Sequence, residues 1–114
     1  MTNNEKLSIL EYAAQAADLK IYGVAPYSNS MQGLVTDKHE SWDPLTNNGE
    51  AFILAVQLGL LVHGDADDTG QVEVFDCDQT FVRIEPFNSP EDKEQATRLA
   101  IVRAAARLGK GDDL

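Results

Sequence analysis

The chain has one cysteine, Cys77, so no disulfide can form within it. It has no apolar run near the roughly 20 residues that a membrane-spanning helix needs. Its first residues, Met1-Thr2-Asn3-Asn4-Glu5-Lys6, lack the basic start and apolar stretch of a secretory signal. These absences predict a soluble protein of a reducing compartment, the cytoplasm, with no membrane partner. Gly-x-Ser-x-Gly, His-Glu-x-x-His and phosphate-loop patterns are missing as well. That leaves no motif on which to build an enzyme, and no cofactor is expected. What is present is one domain's worth of chain. At 114 residues, with 43% hydrophobic and 25% charged residues, it is neither a disordered tail nor a fibrous repeat.

Basic residues are scarce. Nine Lys and Arg face nineteen Asp and Glu, a net charge of −10. From Glu40 to Glu85 there are ten acids and one base, Arg83, whereas from Pro90 onward five bases meet five acids. Such a surface repels phosphate backbones, which argues against direct nucleic-acid binding. It serves solubility, and it also suits attraction to a basic protein groove, as a mimic of nucleic-acid charge.

Periodicity and capping signals predict the order α-β-β-α-β-β-β-α. Thr2 with Glu5 reads as a capping box for a helix over 4–18, with Leu7, Leu10, Ala14 and Ala17 as its stripe. Short strands are expected at 20–25 and 34–36. Asn47 and Glu50 mark the start of a second helix over 48–58, whose apolar positions predict burial over much of its circumference, ended by Gly59. Strands follow at 60–63, 71–76 and 80–85, the last two joined through Cys77-Asp78-Gln79. Alternation assigns Val72, Val74, Val82 and Ile84 to the core. It leaves Glu73, Phe75, Phe81, Arg83 and Glu85 on the opposite face, which is either covered by the first helix, the favoured reading, or free to bind. Ser89-Pro90 opens a third helix over 90–108, with Gly109 as its stop. The fold class expected is α+β, a small antiparallel or mixed sheet sandwiched with three helices.

Asp65, Asp67, Thr69, Gly70 and Asp76 echo the ligand spacing of a calcium loop. The flanks read as strands, however, and the twelfth position holds Asp instead of Glu, so an Asp/Gly turn is the better reading. Cys77, His39 and His63 would form a nucleophile and base only if the fold gathered them. Trp42 is either an anchor for a partner or a cover for the core. Asp65, Asp67 and Asp68 join Trp42, Phe75, Phe81 and Arg83 as candidate partner-binding residues.

The segment Trp42-Asp43-Pro44-Leu45-Thr46, the helix after it, and the late Ala96-Thr97-Arg98-Leu99-Ala100-Ile101 helix together resemble small phage and prophage proteins with an "ABA sandwich" domain. The resemblance spans Trp42 to Leu108. It departs at Asp43, where the pattern more often has Asn, and in the extra N-terminal helix. It implies a helix-sheet-helix layering and a phage accessory protein in the host cytoplasm. It carries over no catalytic residue. The function expected is non-enzymatic binding of a host protein, including inhibition of a host defence system. The alternatives are the acidic mimic of nucleic acid and a small ligand-binding or enzyme domain.

A homodimer is also expected. The second helix is apolar nearly all round, Phe75 and Phe81 share one sheet face, and a domain this short has little helix surface to cover both. Charge repulsion places the contact away from the acids, or beside Arg98, Arg103 and Arg107.

Overall fold

The computed structural model describes residues 2–24, 33–38, 41–63, 70–76, 81–86 and 92–110, leaving aside the side chains of residue 3 and of 81–84. The described elements are α1 (Asn3–Ala16), β1 (Ile21–Val24), β2 (Leu34–Thr36), α2 (Asn48–Leu58), β3 (Leu61–His63), β4 (Gln71–Phe75), β5 (Phe81–Pro86) and α3 (Lys93–Lys110). The class is α+β, with three helices and two antiparallel sheets instead of one: β1-β2, and β3-β4-β5.

Local chemistry explains the helix starts. Thr2 caps α1, its Oγ1 accepting from the Glu5 N–H at 3.1 Å. Asn47 caps α2 in the same way, its Oδ1 accepting from the Glu50 N–H at 2.9 Å. The Glu50 carboxylate reaches past its cap to take the Asp43 N–H at 2.8 Å. At the far end of α2, Gly59 adopts φ 67°, the left-handed conformation that glycine takes at least cost.

The Trp-Asp-Pro turn is a structural knot. Trp42 and Leu34 exchange backbone hydrogen bonds at 2.8 and 2.9 Å, which ties the turn to β2. Asp43 is buried, and its carboxylate accepts from the Leu45 N–H and the Thr46 hydroxyl at 3.1 and 3.0 Å.

α3 is the centre of the molecule. One side packs on α1 and α2, the other on β4 and β5. Two apolar clusters result. The larger contains Leu10, Leu34, Trp42, Leu54 and Val102. The smaller sets Val72 and Val74 against Ala96, Ala100 and Ala104, and Leu60 and Val62 pack against both clusters. Alanines at these positions bring sheet and helix close together. α1 comes equally near: a Cβ at Gly109 would collide with the backbone carbonyl of Tyr12. Gly109 is therefore a contact residue inside α3, not the expected stop, and the helix runs on to Lys110. The Lys110 ammonium lies 5.5 Å from the centre of the Tyr12 ring.

Three further expectations are corrected. Among the described residues α1 packs on α3 and not on the outer face of the β3-β4-β5 sheet, where Leu61 is 46% exposed. The register sets Val72 opposite Glu85, Glu73 opposite Ile84 and Val74 opposite Arg83, with an irregularity before the Phe75–Phe81 pair. A one-residue slip exchanges the faces of a strand. Glu85 consequently lies on the core face and is buried, bonded to Arg103 on α3 at 2.7 Å. Lastly, α2 is not buried all round. Only Ala51, Leu54 and Ala55 are buried, on the side of α2 that packs against α3 and the larger cluster.

Candidate docking surface

The uncovered side of α2 is the most unusual surface among the described residues. Phe52, Ile53 and Val56 are 67%, 55% and 63% exposed. They stand at i, i+1 and i+4, so they share one stripe of a helix about 16 Å long. Single exposed hydrophobes are ordinary, whereas a contiguous group of large ones marks a place where something binds.

Beside this stripe runs a groove of about 610 Å³ between α2, the start of β3 and α3. Phe52 and Val56 form one wall, Leu60 and Val62 the floor toward the sheet, and Ile101 the α3 side. A polar relay borders it. Arg98 Nε donates to the Leu45 carbonyl at 2.8 Å and Nη1 to Asn48 Oδ1 at 2.6 Å. The Asn48 amide in turn donates to Glu94 Oε1 at 2.8 Å. These bonds tie the start of α2 to α3 along the border of the groove. Acceptors and donors are matched within the relay, so the groove offers mainly shape and apolar area.

β3 adds to the same region. It is an edge strand whose only sheet neighbour among the described residues is β4. Alternation points Leu60 and Val62 toward the groove and Leu61 to the outer sheet face. There Leu61 pairs with Phe75, whose ring meets that of His63 at 5.3 Å between centroids. Apolar groups thus flank this edge on both sides. From Ala51 to Val62 no residue is charged, in a chain whose net charge is −10.

The residues singled out from sequence fall in different places. Trp42 is 3% exposed and belongs to the core, so its ring is not offered to a partner. Phe75 is half-buried on the outer sheet face. Phe81 and Arg83 are placed by register opposite Phe75 and Val74. Asp65, Asp67 and Asp68 lie outside the described residues, as do Cys77 and His39. The calcium-like loop therefore keeps only Gly70 and Asp76 within the described structure. Phe52, Ile53 and Val56 were not among the sequence candidates, although the all-apolar circumference of α2 was the signal that pointed to them. No helix among the described residues is long and apolar enough to cross a membrane.

No family model, curated protein or solved structure matches the chain.

Proposed function

We propose that the chain is a non-enzymatic protein of the host cytoplasm that acts by protein–protein binding, with the α2–β3 face as its docking surface. The observation that supports this reading is the exposure of Phe52, Ile53 and Val56 beside an apolar groove. Covering such side chains is favourable at roughly 25 cal/mol per Å² of apolar area, and the groove beside them gives the contact its shape. The setting implied by the resemblance to phage and prophage accessory proteins is action on a host protein, such as a component of a defence system.

The test compares the immobilised chain with its Phe52→Glu, Val56→Glu double variant. Each is presented with a bacterial lysate and, separately, with soluble untagged copies of the same chain. Retention of a discrete protein by the unaltered chain, lost in the variant at unchanged helical circular dichroism and Tm, is expected. Equal retention by both, or none by either, overturns the reading.

A further inference from the structure

We infer that the occupant of the α2–β3 face is a second copy of this chain, so that the working unit is a two-fold dimer. The inference rests on the docking reading above and names the partner. A host target that uses the same face then competes with the second copy for it.

Three observations favour a copy over a foreign chain. The first is electrostatic. Two bodies of charge −10 repel, and they meet at least cost where acids are few and already engaged. The uncharged stretch from Ala51 to Val62 supplies that place; Glu50 on α2 is turned back to its own chain by the Asp43 N–H, and Glu94 at the groove's α3 side accepts from the Asn48 amide, with Lys93 and Arg98 in the same lining. A partner chosen for its positive charge would instead need carboxylates on this face. The second is symmetry. A two-fold axis across α2 sets the two helices antiparallel, opposes their dipoles, and matches one apolar stripe with itself. The uncharged edge of β3 lies on the same side, without the lysines that usually keep edge strands apart.

The third is area. Phe52, Ile53 and Val56 at their observed exposures offer on the order of 300–400 Å² per copy, the size of a functional patch on a monomer. Two such patches, with the groove walls and Leu61, approach the roughly 1,000 Å² of a weak specific interface. A patch of this size fits a weak, reversible dimer.

Sedimentation equilibrium of the whole chain, from low micromolar to several hundred micromolar, tests this. At physiological salt the mass should rise from 12.5 kDa toward twice that value. Raising salt should tighten the dimer by screening the repulsion, and lowering it should favour monomer. The Phe52→Glu, Val56→Glu variant should weaken it at least tenfold. Ile53→Arg, read separately, guards against misfolding of that variant. Tyr22→Glu, at a residue 68% exposed on the other sheet, should leave the dimer unchanged. A dimer insensitive to the α2 changes, or equally sensitive to Tyr22→Glu, overturns the inference. So does a monomer at every concentration. In that last case, retention of a lysate protein through Phe52 and Val56 keeps the docking reading alive, and no retention removes both.

Discussion

α2 and α3 invert the usual relation between composition and burial. α2 carries one charged residue, Glu50, yet buries only Ala51, Leu54 and Ala55. α3 carries Lys93, Glu94, Arg98, Arg103, Arg107 and Lys110, yet buries seven side chains, five of them alanines. Position decides. α3 lies between α1 and the β4-β5 strands and is enclosed on two sides, where small residues allow close approach. α2 lies at the margin, with one packed side among the described residues. A helix rich in large apolar groups at such a margin has surface left to cover, whereas an alanine-rich helix at the centre has little, with Leu108 near its end the exception at 42% exposure.

The comparison is broken most severely on the packed side of α2. Leu54 is 1% exposed. Leu54→Ala leaves a cavity in the larger cluster and should cost about 2–5 kcal/mol, read as a lower urea midpoint at unchanged slope. For a domain with a total stability of about 5–15 kcal/mol, that is a large fraction. A loss below about 1 kcal/mol would mean that α2 is loosely held on both sides. At the centre the opposite change is the harmful one. Ala104 is fully buried between α3 and the sheet. Ala104→Leu should cost about 1–3 kcal/mol by overpacking. A neutral result would show that the sheet stands farther from α3 than the alanines imply.

The turn that leads into α2 gives a smaller effect. Asp43→Ala removes the acceptor of the buried Leu45 N–H and of the Thr46 hydroxyl. The expected loss is about 1–2 kcal/mol in thermal or urea unfolding. Asp43→Asn keeps an oxygen for the Leu45 N–H and should recover part of it.

Much of this architecture is legible in the sequence because its signals are local. Thr2, Asn47 and Gly59 act as caps where their spacing places them, and the eight elements come in the predicted order. The features that escape are relational. Which side of α2 is covered cannot be read from a helix apolar nearly all round, since periodicity marks a face only when the other face is polar. The β5 register turns on one irregularity beside Phe75, and that single residue moves Glu85 to the core face, where Arg103 from a distant helix meets it. Gly109 reads as a helix end by local rules, and only the nearness of Tyr12 explains a glycine there. The candidate site is legible as a tension, more apolar helix surface than one short domain can cover. It is not legible as a set of residues.

The smallest expected effect is the sharpest statement about α2. Phe52 and Leu54 are two positions apart in one helix, both large and apolar, at 67% and 1% exposure. Phe52→Ser removes a side chain that touches little within its own chain, and Ser and Phe differ little in helix propensity. At sub-micromolar protein, the urea midpoint should shift by no more than about 0.5 kcal/mol, as for a surface change. At hundreds of micromolar, the unaltered chain should gain stability by mass action if its copies pair through this face. The Phe52→Ser chain should show no such gain. A loss above about 2 kcal/mol at low concentration would place Phe52 in the core and remove the exposed stripe. Equal concentration dependence in both chains would leave the stripe in place but move the contact between copies elsewhere.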